Sequence, residues 1–155
     1  GDVVSSTLIR LLISEGSIRR ANKLLCSYFG FSAVITHGKR LGRELGTPTI
    51  NQKLPENLAV PKYGVYASAV TLENGKVYSG VTNIGVKPTV GGTKLLSETW
   101  MPDFHGGEIY GQTADVRLLD FIRPEKKFDN ITELKNAITD NAVTAKEIFD
   151  EMYMK

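Results

Sequence analysis

Residues 4–26, VSSTLIRLLISEGSIRRANKLLC, carry apolar side chains at intervals of three and four. Leu8, Leu11 and Leu12 form one stripe, and Ile18, Ala21, Leu24 and Leu25 form a second. That is the period of a helix with one buried face, so two short helices are predicted. Ser5 or Ser6 can cap the first through its hydroxyl, and Gly16 can end it. Cys26 closes the second stripe, which predicts a packed thiol. From Phe31 the period drops to two. FSAVITHG, GVYASAVTL (64–72), KVYSGVTNIG (76–85), LLSETWM (95–101) and TADVRLLDFI (113–122) predict at least five strands with no helix between them. Asn74-Gly75 lies between two of these runs, and both residues tolerate φ > 0, so a hairpin is predicted there. Such a succession favours an antiparallel barrel or sandwich over βαβ units. After Asn130 the helical period returns in Ile131, Leu134 and Ile138, with Asn130 and Glu133 spaced like a capping box. Thr139-Asp140-Asn141 predict a break before AVTAKEIFDEMY.

Composition narrows the class without naming a function. The 155 residues are 41% hydrophobic and 23% charged, as in an ordinary globular domain. A net charge of +2 argues against a surface given over to nucleic acid. The lone Cys26 excludes an intrachain disulfide framework and fits a reducing compartment, so a cytoplasmic location is expected. No apolar run approaches the roughly 18 residues needed to span a bilayer. A chain that starts on Gly1 reads as a fragment of something longer.

The chemistry concentrates in HGKRLGRELGTPTIN, residues 37–51. Gly38, Gly42 and Gly46 let a ligand approach the backbone, and Lys39, Arg40 and Arg43 supply charge for an anion such as phosphate. The spacing is not that of a Walker A loop, and a flexible basic loop without a ligand fits the composition as well. Pro48 pushes Thr47 toward extended backbone, and in an extended segment Thr49 and Asn51 share a face. Both offer hard neutral oxygens suited to Mg2+, or they satisfy turn hydrogen bonds. Glu98 sits in an otherwise apolar strand, where burial would raise its pKa toward that of a general base; the alternative is that it points to solvent. His37 and His105 stand too far from other ligands for a zinc site. In DFIRPEKKFDN (120–130), Phe128 and its basic neighbours form either a solvated turn or a clasp for an aromatic ligand.

Taken together and in order, these fragments resemble the riboflavin kinase family. HGxxLGRxLGxPTxN, GVYA, NIGxxPT, ET, DF, YG and RPExKF are all present between His37 and Phe128, and the resemblance covers roughly residues 31–150. VSSTLIR resembles the closing motif of the adenylyltransferase module of bacterial bifunctional FAD synthetases. The resemblance implies a mainly β fold, a six-stranded antiparallel Greek-key barrel with N-terminal helices and a C-terminal helix. Residues 1–29 would be a helical remnant of the upstream adenylyltransferase module, absent here, and 30–155 the kinase barrel. It implies transfer of the ATP γ-phosphoryl group to the riboflavin 5′-hydroxyl, giving FMN and ADP, with Mg2+. It places Gly38, Arg43, Gly46, Thr49 and Tyr110 with ATP, Thr49 and Asn51 with the metal, and Glu98 as the catalytic acidic residue. Arg123, Lys126 and Phe128 fall where the family contacts the flavin. Trp100 stands where His is frequent, Pro102 where an aliphatic is usual, and DFHGGEIYG is one residue longer than DFxGDLYG. The expected partners are riboflavin, ATP and the upstream module, with no nucleic acid and no membrane. Two rivals are an OB-like nucleic-acid-binding barrel and a non-catalytic flavin-binding module. Low charge and few strand aromatics count against the first, and the joint presence of Thr49, Asn51 and Glu98 against the second.

Overall fold

A computed structural model of the chain describes residues 5–36 and 49–153. Helix α1 (Ser6–Glu15) begins where the Ser5 hydroxyl accepts the Leu8 N–H at 3.1 Å. It ends at Gly16, whose left-handed φ of 82° is reached without a Cβ clash. Helix α2 (Ile18–Leu25) ends at Cys26, which takes the same left-handed region at φ 55°. The packed thiol predicted from the stripe is therefore wrong. The helix stops one residue early, and the reversal of the chain turns Cys26 out to solvent. Leu12, Ile13, Ile18 and Ala21 bury into the same apolar cluster as Phe31, Ile50, Tyr66 and Leu118 of the strands. Buried Asn22 ties α2 down with both ends of its amide, donating to Leu118 O at 2.9 Å and accepting from Phe29 N at 2.7 Å.

Six strands follow: β1 (Gly30–Val34), β2 (Thr49–Lys53), β3 (Gly64–Thr71), β4 (Val77–Thr89), β5 (Gly92–Trp100) and β6 (Thr113–Pro124). They lie in the order β1-β6-β3-β4-β5-β2, every pair antiparallel. β3, β4 and β5 form a meander, and β6 returns beside β3, which is a Greek key. Asn74-Gly75 makes the expected tight turn, with Gly75 at φ 83° and the Asn74 carboxamide accepting Lys76 N–H at 2.9 Å.

The two outer strands nearly close the barrel. Thr36 N–H donates to Asn51 O at 2.7 Å, just past the end of β1. Gln52, fully buried on β2, reaches across with its Nε2 to Ala33 O of β1 at 2.8 Å and Ala114 O of β6 at 3.0 Å. Inside the barrel, Thr82 shares hydrogen bonds of 2.8 Å with Ser68 and with Thr99, a polar row across three strands. Gly80 makes room for it, since a Cβ there would lie 2.6 Å from Ser68 Oγ.

The opposite, outward face of β3, β4 and β6 is covered by α3 (Ile131–Met152) through Ala145 and Phe149, which pack on Val65, Ala67, Ala69, Val81 and Leu119. Asn130 caps this helix by accepting Glu133 N–H at 2.9 Å. The break predicted at residues 139–141 does not occur. Thr139 returns its hydroxyl to Lys135 O at 2.8 Å, Asn141 turns to Arg123, and no Gly or Pro interrupts the ladder.

Gln52→Leu keeps the volume and removes an unpaired Oε1, but strips donors from the Ala33 and Ala114 carbonyls. We expect it to cost about 2–4 kcal/mol, read as a lower urea midpoint. An unchanged midpoint would mean that the seam is held by other contacts.

Candidate active site

Alternation along β5 sends Ser97 and Thr99 into the barrel, where both are buried, so Glu98 and Trp100 face outward. The register then decides Glu98's neighbours. Asn51 of β2 lies opposite it on one side and Asn83 of β4 on the other. Directly opposed residues of antiparallel strands share a face with Cβ atoms about 4.5–5.5 Å apart. Amide, carboxylate and amide therefore stand side by side. One step along, Thr49 lies opposite Trp100, which in turn lies opposite Val81.

The row is enclosed although it faces out of the barrel. Thr49 and Asn51 are only 5% and 9% exposed, and Glu98 and Asn83 are half-buried. Glu98 points away from the interior, yet not into open solvent. Two side-chain atoms in the row are buried with no hydrogen-bond partner among the described residues, Asn51 Nδ2 and Asn83 Oδ1. Their polarities are opposite, a donor on the β2 side of Glu98 and an acceptor on the β4 side. Gln52 Oε1 and Ser97 Oγ are also unpaired inside the barrel, but the two asparagine atoms stand on the outer face beside Glu98, where a ligand could pair them.

The same row continues to Val65 on β3 and Arg123 on β6. Arg123 donates from Nε to Asn141 Oδ1 at 2.9 Å, and its guanidinium carbon lies 5.4 Å from the centroid of Phe128. The Lys126 ammonium is 5.6 Å from the same ring. Burial lowers the Arg123 pKa, but guanidinium remains charged in proteins. The three residues expected at a flavin are brought together, held by a helix that the motif itself does not include.

Tyr110 precedes a turn in which Gly111 N–H meets Ile35 O at 2.9 Å, so it sits near the end of β1, half-buried against the interior cluster. Gly38, Arg43 and Gly46 lie outside the described residues. Trp100, one of the departures, packs against the apolar cluster under α3. Asp103 is held to that helix by Lys146 at 3.7 Å.

Sequence reasoning passed over Asn83, Gly85 and Glu125. A Cβ on Gly85 would fall 2.0 Å from Glu125 Oε1, so this glycine is a saddle on which the segment after β6 rests. An Asn and a Gly at alternate positions of an apolar strand were the available signal.

Among the described residues no group of three or more His, Cys, Asp or Glu could hold a metal. The hydroxyl of Thr49, the amide of Asn51 and the nearby carboxylate are nonetheless hard oxygen donors of the kind Mg2+ takes, so the residues present fit that ion. No helix among the described residues is long and apolar enough to cross a membrane.

Comparison with known proteins agrees with this geometry. The chain is 39% identical, over 86% of its length, to the bifunctional riboflavin kinase/FMN adenylyltransferase of Listeria monocytogenes, of which it covers 42%. It spans about half the length of the curated relatives it matches. A crystal structure described as a macrolide-efflux protein from Streptococcus pneumoniae superposes with a TM-score of 0.83 at 31% identity, covering 92% of this chain and 46% of that one. Riboflavin kinase from Trypanosoma brucei shares the fold at a TM-score of 0.59 and 19% identity, with 79% of this chain and 80% of that one covered. The riboflavin kinase family, Flavokinase, matches residues 25–149, from the end of α2 into the last turns of α3, and the chain belongs to that family.

Proposed function

We propose that this domain transfers the γ-phosphoryl group of ATP to the 5′-hydroxyl of riboflavin, giving FMN and ADP, with Glu98 as the general base. The observation that carries the reading is the placement of Glu98 between an unpaired donor and an unpaired acceptor on an enclosed outer face. Phosphoryl transfer is chiefly positioning and charge stabilisation. A primary alcohol is too weak an acid to ionise beforehand. The Glu98 carboxylate therefore orients the O–H and takes its proton late, as the new O–P bond forms and the bond to ADP breaks.

The β2 side is the nucleotide side. Asn51 Nδ2 suits a phosphate oxygen as acceptor. Thr49 and Asn51 oxygens would hold Mg2+, which when bound supplies positive charge to the triphosphate. These ligands are neutral, so they add no negative charge of their own, and the ion is expected with ATP. In the same reading Gly38, Arg43 and Gly46 contact the phosphates, and Tyr110 meets the nucleotide. The β6 side takes the flavin. Phe128 with the Arg123 and Lys126 cations over its ring offers an aromatic and cationic cluster to a planar electron-poor ring. Val65, between Asn83 and Arg123, and the apolar face under α3 keep that side dry. Residues 1–29 would be the end of an adenylyltransferase module, and the lone cysteine supports a cytoplasmic setting.

Incubation of the chain with riboflavin and Mg-ATP, followed by chromatography of the flavins, tests the assignment. We expect FMN in proportion to protein, and its absence would overturn the reading. Glu98→Gln should keep the fold and flavin binding while lowering turnover by about 10²–10⁴-fold. Undiminished turnover would remove Glu98 from the reaction. Asn51→Ala should raise the Mg2+ concentration needed for half-maximal rate and leave riboflavin binding without nucleotide little changed. An unaltered Mg2+ dependence would make Asn51 a structural residue.

A further inference from the structure

We propose that Asn83 is a substrate-binding residue whose amide oxygen accepts a hydrogen bond from the ribityl 4′-hydroxyl, aiming the neighbouring 5′-hydroxyl at Glu98. The proposal rests on the reading of this domain as one that phosphorylates riboflavin.

Asn83 lies directly opposite Glu98 across the β4–β5 ladder, on the side away from Asn51. Its Oδ1 is buried and has no hydrogen-bond partner among the described residues. Glu98 cannot supply one while ionised, because carboxylate and amide oxygens both only accept. A strand that needed only to pack against α3 would carry an apolar residue here, as β4 does at Val81 and β3 at Val65 and Ala67. The unpaired acceptor is costly in the free protein and is relieved by a ligand that brings an O–H.

The chemistry of that ligand follows from the pair. Glu98 and Asn83 present two acceptors side by side, and a vicinal diol presents two O–H donors side by side. The end of a ribityl chain is such a diol. The order along the row matches the substrate from end to end. Asn51 faces the phosphate, Glu98 the 5′-hydroxyl and Asn83 the next hydroxyl. Val65 follows, and then Arg123 with Phe128, where the ring would lie. Strands are spaced about 4.8 Å apart, wider than the two oxygens of a vicinal diol, so the Glu98 and Asn83 side chains would lean together to meet them.

A cycle of two changes tests the contact, Asn83→Ala in the protein and 4′-deoxyriboflavin in place of riboflavin. The wild type should prefer riboflavin by about tenfold in kcat/KM, the scale of one hydrogen bond and the acceptor it leaves unpaired. Asn83→Ala should lose about as much with riboflavin and discriminate between the two flavins by less than about threefold. If the variant discriminates as strongly as the wild type, Asn83 does not touch the 4′-hydroxyl and the proposal fails. Should Asn83→Ala not fold, Asn83→Ser, too short to make the contact, takes its place in the same cycle with the same two outcomes. Failure of the wild type to phosphorylate either flavin would instead overturn the function, and this contact with it.

Discussion

β5 is paired on both edges, to β2 and to β4, and its register on each side is what makes a site of separate residues. A slip of one residue would turn Glu98 into the barrel and bring Ser97 and Thr99 to the surface. A slip of two would keep Glu98 outside but part it from both asparagines. The proposed chemistry therefore depends less on any single contact of Glu98 than on a ladder that fixes it between Asn51 and Asn83.

That register is guarded from the opposite face. Ser68, Thr82 and Thr99 satisfy one another inside the barrel, and the row survives only when β3, β4 and β5 are aligned as observed. Apolar side chains alone would tolerate a shift more easily, because packing is less directional than hydrogen bonding. Gly80 belongs to the same device, being the position at which any Cβ would press on Ser68 Oγ, Thr99 and Val70. On the far edge Gln52 does for β2 what the hydroxyl row does for the centre. It sits next to Asn51 in sequence but on the other face, so the closure of the barrel and the site of Asn51 are fixed by consecutive residues.

What could be read from the sequence was what is local in the chain. The helical and strand periods, the Asn74-Gly75 turn, the Asn130 cap and the shared face of Thr49 and Asn51 all depend on residues a few positions apart. Cys26 and the 139–141 segment misled because local preference gave way. A helix reversed early in the first case, and in the second polar side chains found partners without leaving the helix. Asn83 was within a quoted motif, yet nothing local shows that it faces Glu98, fifteen residues away. Only the β4–β5 register does that. Glu125 escaped for the same reason, since its resting place on Gly85 is forty residues upstream.

A site on the outside of a barrel needs a wall that the barrel does not provide, and α3 is that wall. It buries Ala145 and Phe149 against β3, β4 and β6 and makes polar contacts with Arg123 at one end of the row and with the turn after β5. Asn141 holds Arg123 at 2.9 Å, and Lys146 holds Asp103 at 3.7 Å, just past β5. The Lys146 pair is exposed and weak by itself. Its value is geometric, because one rigid helix refers the turn after β5 and the segment after β6 to a common frame. Trp100 fits this arrangement. Its indole packs beneath α3 and opposes Thr49 across the ladder. It extends the apolar contact between helix and sheet to the edge of the Thr49–Asn51 pair, so the wall and the floor of the candidate site meet at Trp100.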